Sequence, residues 1–249
     1  MPRIGRSAAS AAALVLLMAL PALAQQQATR SIAVAGANLL RVNVSGDLKL
    51  VPDVSARTIT VVGSAPVGSP PLKVESTRTG RRLNIALSGP ARSPLPFTAS
   101  GHSYVLTYPA TLRLEVREFA GGVAIAHAIA PLDIYNASGP ISLDDTAASV
   151  TAEADKGDIS ASDVHAAIDV TTGTGNVSVR LARGWSGHEV RMESSSGNLS
   201  LAVAPDFRAH FDVTSADGRV TNQLANAARS PLVFMLTAHG DIAIARENL

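Results

Sequence analysis

From about residue 121 onward, apolar residues recur at every second position in short runs that glycine interrupts. Val177-Ser178-Val179-Arg180-Leu181 and Leu199-Ser200-Leu201-Ala202-Val203 alternate strictly. Such alternation puts one set of side chains on a buried face and the other in solvent, the mark of a β-strand packed on one side. Around each glycine the chain repeats itself. Small polar residues precede it, Asp, Asn, Pro or Arg follows it, and then Ile, Leu or Val restarts the apolar face. The units are Asn136-Ala137-Ser138-Gly139-Pro140-Ile141, Asp155-Lys156-Gly157-Asp158-Ile159, Thr172-Gly173-Thr174-Gly175-Asn176-Val177 and Ser194-Ser195-Ser196-Gly197-Asn198-Leu199. Ser215-Ala216-Asp217-Gly218-Arg219-Val220 and Thr237-Ala238-His239-Gly240-Asp241-Ile242 complete the series. Val44-Ser45-Gly46-Asp47-Leu48 is a further copy in the first half, and a weaker one stands at Gly121-Gly122-Val123-Ala124-Ile125. Counted from Gly122, the steps are 17, 18, 18, 22, 21 and 22 residues.

Each unit predicts two strands, one before the glycine and one after it. Glycine bends the chain between them because it alone takes positive φ without cost. The predicted class is all-β. In a β-helix or β-solenoid each unit is one coil, and equivalent strands of successive coils pair in parallel. In a β-sandwich the same strands pair as antiparallel hairpins. The solenoid is favoured, because the recurring interval is one coil long and the connections look like bends rather than hairpin loops. The first half is less regular. Residues 31–50, 58–62, 72–76, 82–88, 103–108 and 111–118 read as strands. Proline-rich connections at 67–71 and 89–96 separate some of them. The expected organisation is a leader at 1–24, an irregular β region at 25–120 continuous with the repeat, and the glycine-punctuated repeat at 121–249.

The leader changes the picture of where the chain works. Arg3 and Arg6 precede the apolar run Ala11–Leu20, and Ala22-Leu23-Ala24 supplies small residues before Gln25. That is the order of a secretory signal peptide. Its removal would leave 19 basic against 20 acidic residues, a balance that disfavours nucleic acid as a partner. There is no cysteine for a disulfide or a lipid anchor, and no later apolar run is long enough to span a bilayer. The expected location is the periplasm or the exterior.

The units at Gly139-Pro140-Ile141, Gly157-Asp158-Ile159, Gly175-Asn176-Val177, Gly197-Asn198-Leu199 and Gly240-Asp241-Ile242 resemble those of the bacterial putative-adhesin family of exported β-strand repeat proteins, a domain of unknown function. The resemblance is strong over about 121–246 and loose back to about 31. It implies a stacked β-helix-type fold with no established catalytic residues. Pro140 and Arg219 depart from the usual Asp or Asn.

Candidate chemistry is sparse. The six histidines, His102, His127, His165, His188, His210 and His239, form no close ligand pair in sequence. His188 and His210 occupy matching places in adjacent units, so they are expected to stack. Asp144, Asp145, Asp155, Asp158, Asp163 and Asp169 make an acidic stretch whose stacking would offer hard oxygen ligands to calcium, but the glycine-rich calcium-binding nonapeptide pattern is absent and a solvated row of turns is the plainer account. Trp185, in Arg183-Gly184-Trp185-Ser186-Gly187, is either a recognition residue or packing over the coil. Ser194–Ser196 read as turn residues, since no nucleophile elbow surrounds them. Gly173-Thr174-Gly175-Asn176 lies in the repeat register and so is not read as a phosphate loop. The expectation is therefore no catalytic, cofactor or metal residue. The predicted protein is a non-enzymatic envelope module whose partner is an envelope protein or a surface glycan. The alternatives are a carbohydrate-binding or polysaccharide-degrading β-helix protein and a calcium-stabilised envelope protein.

Overall fold

A computed structural model describes residues 25–66, 69, 72–88, 101–118, 120–227 and 231–247. The expected leader, the 89–96 connection and all but Ser69 of the 67–71 connection lie outside the described residues. The first half forms β1 (Gln25–Ala33), β2 (Leu39–Val44), β3 (Asp47–Asp53), β4 (Thr58–Pro66), β5 (Lys73–Thr79), β6 (Arg82–Ser88), β7 (Ser103–Pro109) and β8 (Arg113–Glu118). The repeat forms β9 (Val123–Ala126), β10 (Leu132–Ser138), β11 (Ile141–Thr146), β12 (Val150–Lys156), β13 (Ile159–Val164), β14 (Ile168–Thr174) and β15 (Val177–Leu181). It continues as β16 (Glu189–Ser196), β17 (Leu199–Val203), β18 (His210–Ser215), β19 (Val220–Asn222), β20 (Leu232–His239) and β21 (Ile242–Arg246).

These strands build two sheets. One runs β1-β4-β7-β3-β9-β11-β13-β15-β17-β21-β19, the other β18-β20-β16-β14-β12-β10-β8-β2-β6-β5. From β8 onward the chain visits the two sheets in turn, and every pairing in that region is parallel. Among the described residues, antiparallel pairing is confined to the N-terminal end, at β1–β4, β4–β7 and β5–β6. The fold is all-β with mixed parallel and antiparallel sheets. Both sheets run on across residue 120, since β8 pairs with β10 and β3 with β9.

The alternation seen in the sequence sets which residues face inward. In β12 it gives buried Val150, Ala152 and Ala154 between exposed Thr151 and Glu153. Parallel registry then stacks like on like. Ile141, Ile159, Val177, Leu199 and Ile242 form one aliphatic column. Leu114, Leu132, Val150, Ile168, Val190 and Val233 form another on the facing sheet. All are at most 4 % exposed. A one-residue slip would turn every one of these side chains outward, so the columns hold the register.

Spatial order departs from chain order at both ends. The coil of β20 and β21 lies between that of β16 and β17 and that of β18 and β19. Likewise β3 lies between β7 and β9. The reason at the C-terminal end is burial. Val233 and Met235 of β20 are fully buried, whereas β18 alternates between exposed and half-buried positions and β19 is exposed throughout. The more apolar coil takes the interior place and the more polar one the edge. This also separates His188 from His210. His210 aligns with Leu232, which aligns with Glu189, so the stacking expected of the two histidines does not occur. Amide exchange should report the inverted order: β18 and β19 exchanging at least about tenfold faster than β20 and β21, although β20 and β21 are nearer the C-terminus. Equal protection would contradict this account.

Candidate functional site

Two corners join the sheets, and they differ. At the tight corner, the register glycines stack from coil to coil. Gly121, rather than Gly122, stands in line with Gly139, because Val123 pairs with Ile141, so the first step is 18 residues. Beside the glycines runs a column made by buried Glu118, Asn136, Ala154, Thr172, Ser194 and Thr237 and half-buried Ser215, in register. Thr172 Oγ1 donates to the Gly157 carbonyl at 3.0 Å, Ser194 Oγ to that of Gly175 at 3.0 Å, and Thr237 Oγ1 to that of Gly197 at 3.0 Å. Ser215 Oγ donates to the Gly240 carbonyl at 2.8 Å. Ala154 has no donor for the Gly139 carbonyl. Asn136 compensates, its Nδ2 donating to Gly121 O at 2.9 Å and to Gly139 O at 3.0 Å.

A second ladder is exposed, formed by the residues that follow the glycines. Asn176 N donates to Asp158 Oδ1, Asn198 N to Asn176 Oδ1, Asp241 N to Asn198 Oδ1 and Arg219 N to Asp241 Oδ1, at 2.7–3.0 Å. Arg219 departs from the usual Asp or Asn without cost, because its coil is the outermost and no further rung needs an acceptor. Pro140 offers no side-chain acceptor, so the ladder does not continue through it. Asp158, Ser194 and Asn176 are thus structural, as is the Gly173–Asn176 stretch.

The glycine column begins at His102, which aligns with Gly46. His102 is 5 % exposed, and neither ring nitrogen has a partner among the described residues. Close to this end, Glu118 is fully buried, with Oε1 accepting from Gly46 N at 3.1 Å and Ala120 N at 3.3 Å. Burial, and then the Glu118 charge, push the Tyr104 phenol up to about 12. Burial pushes the His102 imidazole below its ordinary 6.5. An unfolded chain therefore takes up a proton at His102 at higher pH than the folded one does. Stability should be level above about pH 6.5 and fall as the pH drops below it. Urea unfolding between pH 8 and 5 should show a shallower fall in His102→Leu. An unchanged slope would reject this assignment.

The opposite corner carries the chain's variation. His127, Asp145 and Asp163 stand in register there, with φ of 59°, 48° and 51°, a conformation that His and Asp tolerate better than most residues. Asp145 bridges two histidines: Oδ2 meets His127 Nδ1 at 2.7 Å and Oδ1 meets His165 Nε2 at 3.2 Å. The hydrogen bond to His127 lowers the Asp145 pKa. Sequence spacing did not reveal this trio, because the contact depends on an 18-residue coil. The remaining acidic residues are dispersed. Asp144 accepts from Ser162, Asp155 from Tyr135, Asp163 pairs with Arg180 and Asp169 with Arg191. Among the described residues, no group of three or more His, Asp or Glu side chains is arranged to hold a metal.

On the same corner the connections lengthen. Three residues, 165–167, join β13 to β14, but seven, 182–188, join β15 to β16, and six, 204–209, join β17 to β18. This is why the steps grow from 18 to 22 and 21 residues. The longer connections bring an aromatic cluster. Trp185 Nε1 donates to Ala166 O at 2.6 Å, and its ring meets Phe207 edge-on with centroids 5.7 Å apart. Phe207 meets Phe211 at 6.5 Å. Gly187 lies under the indole, where a Cβ would fall 2.3 Å from a ring carbon. A surface cavity of about 270 Å³ opens here, bordered by Trp185, Phe207, Asp206, Arg208 and Pro231. Trp185 therefore packs on the core and also borders this cavity.

Comparison with known proteins bears on the repeat. No curated protein matches the chain. Among solved structures, a putative cell adhesion protein from Clostridium sporogenes ATCC 15579 is 10% identical, with 90% of this chain and 100% of that one covered and a TM-score of 0.45. A putative adhesin from Bacteroides fragilis NCTC 9343 is 11% identical, with 90% and 99% covered and a TM-score of 0.46. The family model described as Toastrack DUF4097 matches residues 120–245, half of the chain and almost the span over which the glycine units are strongest. With its stacked glycines and their two polar ladders, the chain belongs to the Toastrack DUF4097 family.

Proposed function

We propose that this chain is a non-enzymatic, adhesin-like structural or interaction module of the cell envelope, built as one continuous two-sheet β-solenoid from about residue 25 to the end. The observation that carries the reading is how the repeat uses its polar residues. Most of those that look chemically able are engaged in ladders that hold coil to coil. The variable corner is where side chains are left over for contact. Visiting the sheets in turn, with a parallel step each time, supports the solenoid over a sandwich of hairpins. The signal-like start supports export to the periplasm or beyond, with a surface glycan or an envelope protein as partner.

The test is direct. The protein, expressed from its full gene in a Gram-negative host, should appear in the periplasmic or extracellular fraction with a shortened N-terminus. Incubated with envelope polysaccharides, it should release no reducing ends. Cytoplasmic retention or saccharide turnover would defeat the proposal.

A further inference from the structure

We propose that the cavity at the lengthened connections binds one ring of a neutral saccharide. This rests on the reading of the chain as an envelope interaction module, and supplies that module with a ligand class.

Three observations support it. The cavity exists only because two connections are longer than their counterpart in the preceding coil, and the added residues include Trp185 and Phe207. Neither added segment extends a sheet. The aromatic rings are also held in place before any ligand arrives. The indole N–H is tied to Ala166 O, its ring lies over Gly187, and Phe207 abuts its edge. A rigid apolar wall loses little side-chain freedom on binding. Finally, among the described residues the rim carries one acid and one base. Asp206 and Arg208 flank Phe207 and are exposed. Among the described residues the Asp206 carboxylate has no ion pair, and the Arg208 guanidinium donates only to the neighbouring Phe207 carbonyl, at 3.2 Å.

That combination selects among ligands. A rim of balanced charge favours neither anion nor cation. A carboxylate accepts from hydroxyls and a guanidinium donates to them, both through charge-assisted bonds. A pyranose has hydroxyls around its edge and C–H groups on its face, so it meets the rim and the aromatic wall together. A volume of about 270 Å³ lies just under the usual range for small-molecule pockets, about 300–1,000 Å³, and suits one ring rather than a drug-sized ligand.

Trp185 is the chain's sole tryptophan, so its fluorescence reports on this cavity alone. The mature protein would be titrated with neutral mono- and disaccharides, a uronic acid, a short apolar peptide and phosphatidylglycerol vesicles, with released reducing ends measured in parallel. The expected result is a saturable emission change with a neutral saccharide, at a dissociation constant on the order of 1 mM. Asp206→Ala and Arg208→Ala should each weaken it about tenfold without shifting the melting temperature. Both residues are exposed and leave the aromatic cluster intact. No saturable response to any neutral saccharide, a response only to the uronic acid, the peptide or vesicles, or full affinity in both variants would overturn the assignment. Any of these without released product leaves the non-enzymatic reading standing. Released product defeats that reading, while binding that Asp206→Ala weakens would still support the cavity assignment.

Discussion

Gly157→Ala is expected to destabilise the protein by on the order of 4 kcal/mol. Two causes add. Gly157 has φ of +148°, which a residue with a Cβ rarely adopts. A Cβ there would also lie 2.0 Å from the Gly139 carbonyl oxygen and 2.6 Å from its carbon. The clash is with backbone, so no side chain can swing aside. Relief requires the two coils to part, and that breaks the Gly139 N–Lys156 O and Ile141 N–Asp158 O hydrogen bonds between them, at 2.8 and 2.9 Å. Chemical denaturation should show the midpoint falling sharply. Gly184→Ala, at a glycine with open space around it but a φ of +77°, serves as the control for backbone strain alone and should cost much less. Equal losses in the two variants would mean that the close approach of coils contributes nothing.

Asn136→Ala should cost about 2–3 kcal/mol. Asn136 is fully buried. Its removal leaves Gly121 O and Gly139 O without their side-chain donor, and Ser138 N without the Asn136 Oδ1 acceptor at 3.1 Å. The pattern predicts more than a loss. Asn136 makes two donations because Ala154, one coil on, makes none. Ala154→Ser would place a hydroxyl where Thr172, Ser194 and Thr237 carry theirs, and would serve Gly139 O. Asn136→Ser should then be tolerated better in the Ala154→Ser background than alone, with a coupling of about 1 kcal/mol. Strictly additive losses would refute the shared role of the two positions.

Much of this arrangement was legible beforehand. Period-two alternation identified the buried faces, and the glycine units predicted where the chain crosses from one sheet to the other. The strands at 82–88, 177–181 and 199–203 fall where alternation puts them, and the family suggested by the glycine units is the one whose model matches. Other features were not legible. The 31–50 region reads as one extended stretch because its apolar residues alternate on both sides of Ser45-Gly46, yet it holds parts of three strands. Gly121 and Gly122 are indistinguishable in sequence, and only pairing with Gly139 chooses between them. The meeting of Asp145 with His127 and His165 involves residues 18 and 20 apart, a distance that means nothing until the length of a coil is known. The Trp185 cavity depends on Pro231 as well as on residues near 206, brought together by a connection that crosses the intercalated coil.

Sequence alone therefore determined the all-β class, the inward and outward faces and the repeat itself, because those follow from local alternation and from the conformational freedom of glycine. The tertiary structure alone decided coil order, the rung to which each polar side chain donates, and the convergence at the variable corner. Parallel pairing has nearly the same local requirements whichever coil lies alongside. The choice falls to the total burial of competing arrangements, and β20, with Val233 and Met235 fully enclosed, takes the interior place over β18.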